Sequence, residues 1–218
     1  MINLTCWLCL PVAVALVAFA GLGEVLGQSG LLFYASFDNW PLADLAAGSR
    51  APLKNMGGRI ATGRVGGCLA LDGNSYLEFA PKGNIGGTAC TISLWFRPRD
   101  WGAKKYDNIL GLSADNVNAF HLERSHPGGQ LRLVLGGPDT ADGAKTRSLF
   151  SREPLENDRW VHIAACWDAA APRVELFVDG KSVAKNTQPG PTPLNVPVFL
   201  VGAGFGRLGR AIKGDIDE

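Results

Sequence analysis

Very little in this chain is unbalanced: 21 Lys and Arg stand against 20 Asp and Glu, which leaves a formal net charge of +1. The cations are scattered and none precedes Arg50, so no basic stripe is offered to a nucleic acid. Cysteine is sparse, and Cys6 and Cys9 fall in an apolar N-terminal run, leaving Cys68, Cys90 and Cys166 in the body. These three lie far apart in sequence and His121, His126 and His162 do not cluster with them, which gives a zinc site no support. Phosphate-cradling, serine-elbow and H-E-x-x-H patterns are missing, which removes the residues that phosphoryl transfer, serine hydrolysis and zinc hydrolysis need. Outside the N-terminal run, no window of eleven or more residues holds a helical period.

What is abundant is glycine, 28 residues, with 13 prolines, as expected of a chain that turns often and travels in short segments. The run from Trp7 to Gly23 carries no charge until Glu24 and offers a small-x-small site at Ala18-Phe19-Ala20. It reads as an export signal over residues 1–23, with an uncleaved membrane anchor as the alternative because no basic residue marks its start. Residues 24–30 then form a short linker and 31–218 a domain outside the cytoplasm. The membrane enters only through that anchor.

In the body, runs of four to eight β-branched and aromatic residues alternate with glycine turns. Strands are predicted at 31–37, 68–71, 76–79, 90–97, 107–113, 119–124, 130–135, 160–168, 173–178, 181–186 and 198–202. Asp179-Gly180, between Val174–Val178 and Lys181–Val183, calls for a tight hairpin. Hairpin-linked strands without helical crossovers predict an all-β, two-sheet antiparallel sandwich. Trp95, Trp160 and Trp167 lie in strand patterns and are expected in the core. Alternation also buries the Cys166 thiol, which leaves Cys68 and Cys90 as the pair to test for a disulfide.

Several segments coincide with one family pattern. They are Leu32-Phe33-Tyr34-Ala35-Ser36-Phe37-Asp38, Gly63 to Gly73 before Tyr76-Leu77, Thr91-Ile92-Ser93-Leu94-Trp95-Phe96-Arg97-Pro98, Arg159 to Ala164, the Val174 to Lys181 hairpin, and Gly214-Asp215-Ile216-Asp217-Glu218. In order and spacing the chain resembles the laminin-G-like, concanavalin A-like jelly-roll family from about residue 31 onward. In that family the final Ile-Asp-Glu opens a closing strand beside the first. The resemblance therefore implies a sandwich that lacks its last strand, with an unpaired edge on Leu31–Phe37 and a natural chain that continues.

The resemblance also implies a structural calcium held where first and last strands meet, at Asp38 and Asp217, with the alternative that Asp38 caps the turn at Asn39-Trp40-Pro41 and Asp217 is solvated. Relatives that hydrolyse β-glucans use an alternating carboxylate strand, to which Asp215-Ile216-Asp217-Glu218 corresponds only in part. Sandwich lectins stack aromatic faces on sugars, and the loop aromatics Trp40, Trp101 and Tyr106 are the expected ligand residues, each with the alternative of folding over the sandwich edge. Gly204-Phe205-Gly206-Arg207-Leu208-Gly209 satisfies G-x-G-x-x-G, but only nine residues follow, so it is read as a rim loop. The leading expectation is a non-catalytic recognition module for a glycan or an extracellular protein surface. A part of a secreted multidomain glycoside hydrolase and a structural spacer are the alternatives.

Overall fold

The computed structural model describes residues 2–5, 30–86, 88–101, 106–112, 120–135, 147–168, 170–171, 173–186 and 196–218. In chain order the strands are β1 (Ile2–Thr5), β2 (Leu31–Ala35), β3 (Leu45–Ala46), β4 (Lys54–Met56), β5 (Arg59–Thr62), β6 (Gly67–Asp72), β7 (Tyr76–Phe79), β8 (Ala89–Pro98) and β9 (Asn108–Gly111). They continue with β10 (Phe120–Arg124), β11 (Gln130–Leu135), β12 (Arg147–Pro154), β13 (Val161–Asp168), β14 (Arg173–Val178), β15 (Lys181–Asn186), β16 (Phe199–Val201) and β17 (Lys213–Asp217). Among the described residues no helix is long and apolar enough to cross a membrane. The Trp7–Gly23 run lies outside them.

Two antiparallel sheets result. The ten-stranded one contains β15-β14-β13-β8-β1-β2-β3 in order, with β17 joining β8 to β6 and β5 beyond; the seven-stranded one runs β12-β11-β10-β9-β16-β7-β4. The hairpin between β14 and β15 forms as the sequence requires, with Asp179 at φ 48° and Gly180 at φ 75°. Both angles are positive, the condition for the type I′ turn that matches strand twist.

Alternation along each strand builds the core. On β8, Cys90, Ile92, Leu94 and Phe96 point inward while Thr91, Ser93, Trp95 and Arg97 form the outward row. The sheets are pinned by aromatic contacts across the interior: Phe33 meets Phe79 and Phe199 edge-on at 5.0 Å each, and Phe120 meets Trp167 at 5.0 Å. Such pairs add about 0.5–1.5 kcal/mol each beyond the area they bury.

Three expectations are corrected by this register. Trp95 and Trp160 are not core residues; Trp95 falls on the outward row, where the Arg64 guanidinium stacks on it at 3.7 Å, and Arg97 lies 4.7 Å over Trp160. Of these three, Trp167 is in the core. Cys68 and Cys90 do not pair, and with Cys166 they are buried thiols outside any disulfide. β17 lies between their strands, and Cys68 is level with Trp95, about five residues from Cys90 along β8, so roughly 16 Å of strand rise separates them. Finally, β2 has no open edge, since β3 pairs with one side of it and β1 with the other.

Candidate functional site

The outward face of the seven-stranded sheet carries polar side chains that no core demands. Register aligns Phe150, Arg132, Glu123 and Asn108 in one row and Ser148, Val134, His121 and Gly111 in the next. A bulge in the β9–β10 pairing between Leu122 and Glu123 sets Asn108 opposite Glu123. Over these rows folds the segment from Gly204 to Ala211, tightened by a 3-10 turn at Leu208–Arg210 and bridged to β9 through Asn108 and Ala211. A side chain at 204 would run into the Asn108 amide, so glycine is what lets this segment approach the sheet.

Glu123 is the centre of the arrangement. It is 2% exposed, a depth at which a carboxylate survives only when it is paired. The Asn108 amide donates to its Oε2 at 2.6 Å, Arg132 Nη1 donates to Oε1 at 3.2 Å, and Arg210 Nη1 stands 3.6 Å from Oε2. Burial pushes the Glu123 carboxyl above its ordinary pKa, against the downward pull of Asn108, Arg132 and Arg210. Burial likewise drives His121 down to about 4, helped by the charges of Arg210 and Arg132, so its imidazole is neutral at pH 7.

Aromatic rings frame this floor. Arg210 lies between two of them, its guanidinium 4.0 Å over Phe205 and 5.4 Å over Tyr106. Phe205 also approaches His121 at 5.6 Å, and Tyr106 approaches His126 at 5.8 Å. On the other side Arg132 is fixed by Ser148 Oγ, at 3.0 Å from Nε and 2.7 Å from Nη2, and lies over Phe150, which is 45% exposed. Asn108, His121 and Glu123 are buried beneath this segment, and what the face presents is the half-exposed rings with the partly exposed guanidinium groups of Arg132 and Arg210, whose positions Glu123 sets.

The residues expected from sequence are distributed otherwise. Tyr106 belongs to this face. Trp101 does not: it is 8% exposed, packs against Phe96 at 5.8 Å, and its Nε1–H donates to Gly129 O at 2.6 Å. That ring is a core residue whose one polar atom is satisfied, and it presents no face for stacking. Trp40 is 69% exposed, beside a shallow depression lined by Asp38, Asn39, Thr62 and Gly66.

Asp38 and Asp217 are brought to one loop but not into a cation cage. Asp38 Oδ1 accepts from Gly67 N at 2.8 Å, while Asp217 Oδ2 accepts from Arg64 N at 2.7 Å and Val65 N at 3.1 Å. Amide donors aim at these oxygens, where a calcium ion needs acceptors, and among the described residues no three His, Cys, Asp or Glu side chains converge. The residues do not fit the ion, and they clamp the 63–67 loop instead. Asp215, on the same strand face as Asp217, has an oxygen that takes both Arg97 Nε and Arg99 Nε at 2.8 Å, the position of a counter-ion.

Comparison with known proteins follows the architecture. A family model described as the concanavalin A-like lectin/glucanases superfamily matches residues 71–218. A search of curated proteins finds no significant match. Among solved structures, domain 4 of AbnA, an extracellular GH43 arabinanase from Geobacillus stearothermophilus solved with arabinotriose, is similar at TM-score 0.57 and 20% identity, over 76% of each chain. The binding domain of Paraclostridial Mosquitocidal Protein 1 is similar at TM-score 0.57 and 17% identity, over 75% of this chain and 41% of that one. Domains LG4-5 of the mouse laminin α1 chain give TM-score 0.50 and 18% identity, over 80% of this chain and 43% of that one. At such identities the likeness is one of fold.

Proposed function

From a chain that belongs to the concanavalin A-like lectin/glucanases superfamily, we propose a non-catalytic carbohydrate-recognition module, exported by its apolar leader, with the outward face of the seven-stranded sheet as its glycan contact. The observation that carries this reading is the pair of partly exposed rings, Phe205 and Tyr106, on either side of the Arg210 guanidinium, which the buried Glu123 holds in place beside Arg132. Sugars present an apolar face of C–H groups and a rim of hydroxyls, and a site of few aromatic surfaces with fixed donors and acceptors suits both. With His121 neutral, Arg132 and Arg210 against the one carboxylate of Glu123 leave an excess of positive charge there, which suits hydroxyl-rich sugars and also tolerates an acidic one. Support also comes from the arabinotriose bound to the similarly folded arabinanase domain.

A second reading places the contact at the rim, on the exposed ring of Trp40. Calorimetric titration of the full chain with arabino-, gluco- and sialylated oligosaccharides separates the two. Phe205→Ala and Tyr106→Ala are expected to weaken binding at least tenfold while Trp40→Ala leaves it unchanged. The reverse pattern moves the site to the rim, and a panel without any binder refutes the recognition reading.

A further inference from the structure

The outward side of the ten-stranded sheet is the opposite surface of the sandwich from Phe205 and Tyr106, and it carries chemistry of its own. Register sets Arg59 of β5, Ala70 of β6, Asp215 of β17 and Arg97 of β8 side by side. In the neighbouring row Lys213 stands opposite Asp72. Leu69 and Leu71 turn into the core, so Ala70 and Asp72 face out. Between Arg59 and Asp215 the sheet therefore shows only the methyl group of Ala70. With Ala61 that methyl floors a trough of about 330 Å³, walled by Arg59, Arg99, Lys213 and Asp215. Beyond it the Arg97 guanidinium lies 4.7 Å over the partly exposed ring of Trp160.

The charges around this trough do not cancel. Asp215 is buried and gives one oxygen to both Arg97 Nε and Arg99 Nε at 2.8 Å. Asp72 accepts from the Asn74 amide at 2.8 Å, the first cause of its lowered pKa. Asp158 stands 3.7 Å from Arg99, an exposed contact with which water competes. Among the described residues Arg59 and Lys213, both exposed, enter no ion pair. Four cations thus surround two carboxylates, one of them already shared between two arginines, and the excess is positive. A concave site of one sign concentrates ions of the other. The apolar floor decides what kind of anion fits. A sugar ring lays its C–H face on alanine methyl groups and turns its substituents to the walls. A nucleic acid needs a longer basic stripe than this row provides, and the chain as a whole is only +1.

We propose that this trough is a second ligand site, for a glycan that carries an anionic substituent. The ring rests on Ala61 and Ala70, and its carboxylate or sulfate group takes the charges of Arg59 and Lys213. The rest of the glycan follows the row past Arg97 to Trp160, whose ring supplies a stacking surface. Asp215 fixes Arg97 and Arg99 along that path, so Asp215 is a positioning residue and touches no sugar. The site lies at the Lys213 end of β17, on a different sheet from the glycan contact described above, and the two bind independently.

The test is fluorescence anisotropy on the full chain at low ionic strength, with fluorescein-labelled oligogalacturonate, dextran sulfate and uncharged dextran of equal length as probes. At least one acidic probe is expected to bind tenfold or more tightly than dextran, and which one does so identifies the substituent as carboxylate or sulfate. Added salt should weaken it, since the pairing charges are exposed. Arg59→Gln with Lys213→Gln should cost at least tenfold. Ala61→Leu, which fills the floor and leaves the charge alone, should cost as much. Removing the same charge elsewhere, by Arg152→Gln with Lys82→Gln, should change affinity less than twofold, and so should Phe205→Ala. An equal loss in the Arg152 and Lys82 variant would reduce the effect to bulk charge. A loss in Phe205→Ala would put the anion on the other sheet, and equal affinity for a DNA duplex of matched charge would make the surface a general polyanion binder. Each of these outcomes overturns the proposal, as does a chain that binds neither acidic probe.

Discussion

Replacing His121 by Gln is expected to flatten the acid limb of the stability profile. In the folded chain burial and two neighbouring arginines hold the imidazole down to about 4, against an ordinary value of 6.5. Below 6.5 the unfolded chain therefore takes up a proton that the folded chain refuses until about pH 4, and stability falls as pH falls through that window. Each pKa unit corresponds to about 1.4 kcal/mol, so the whole traverse removes about 3 kcal/mol. For a domain of this size that amounts to roughly 6–12 °C in melting temperature. His162, also held low by burial, acts in the same direction. Glu123 opposes both, since its raised carboxyl takes a proton in the folded state before it does so in the unfolded one. The difference between wild type and His121→Gln cancels the shared contributions. Urea unfolding followed by tryptophan fluorescence at pH 8, 7, 6, 5 and 4 should give curves offset by a constant above pH 7 that converge by about 3 kcal/mol towards pH 4. Parallel curves across the whole range would show that His121 titrates normally, and with it that the face is open to water.

Trp101→Ala should cost about 3–5 kcal/mol in unfolding free energy, as for other large-to-small core changes, and leave oligosaccharide affinity unaltered, both read by titration of the refolded variant. Unchanged stability would return that ring to the list of surface platforms. Glu123→Ala, which sets Arg132 and Arg210 against each other without their common partner, should lower stability by about 3 kcal/mol, the lower end for a broken buried pair because both guanidinium groups keep some solvent. A neutral outcome there would mean that the carboxyl is already protonated. Millimolar calcium should leave the melting temperature of the chain within about 1 °C, because a site that binds no ion gains nothing by mass action; a rise of several degrees that Asp38→Ala abolishes would reinstate the cation.

Strands with their own chemistry could be read from the chain alone. The β14–β15 hairpin is written in Asp179-Gly180, and the β-branched, aromatic and leucine content of Gln130–Leu135 and Tyr76–Phe79, bounded by glycine turns, predicts bounds that agree with the sheet. β3, β4 and β5 could not be read, because two to four residues such as Lys54-Asn55-Met56 have no period of their own and become strands only when β7 and β6 supply the hydrogen bonds. β12 hides behind Arg152, Glu153 and Pro154, residues that belong on an edge. The candidate face was missed for a different reason. Ligand residues were sought in loops, whereas Phe120-His121-Leu122-Glu123 alternates apolar with polar and so displays its polar half on a sheet surface. Conversely, Trp101 is a loop residue by sequence and a core residue in space, since only the fold brings the Gly129 carbonyl to its indole N–H.

The clasp between β8 and β17 has a consequence for the order in which the chain closes. Arg97 waits for Asp215, 118 residues later, and the amide of Arg64 waits for Asp217, 153 residues later. At the usual 5–20 residues per second of synthesis, the edge of β8 stands without its neighbour for roughly 6–24 seconds. Throughout that interval residues 95–98, the stretch of β8 that β17 later takes, have no strand on that side, and Phe96 has no cover there. A nascent chain in this state is a substrate for holding factors, and passage across a membrane before folding would postpone the closing of the sheet until every strand is present.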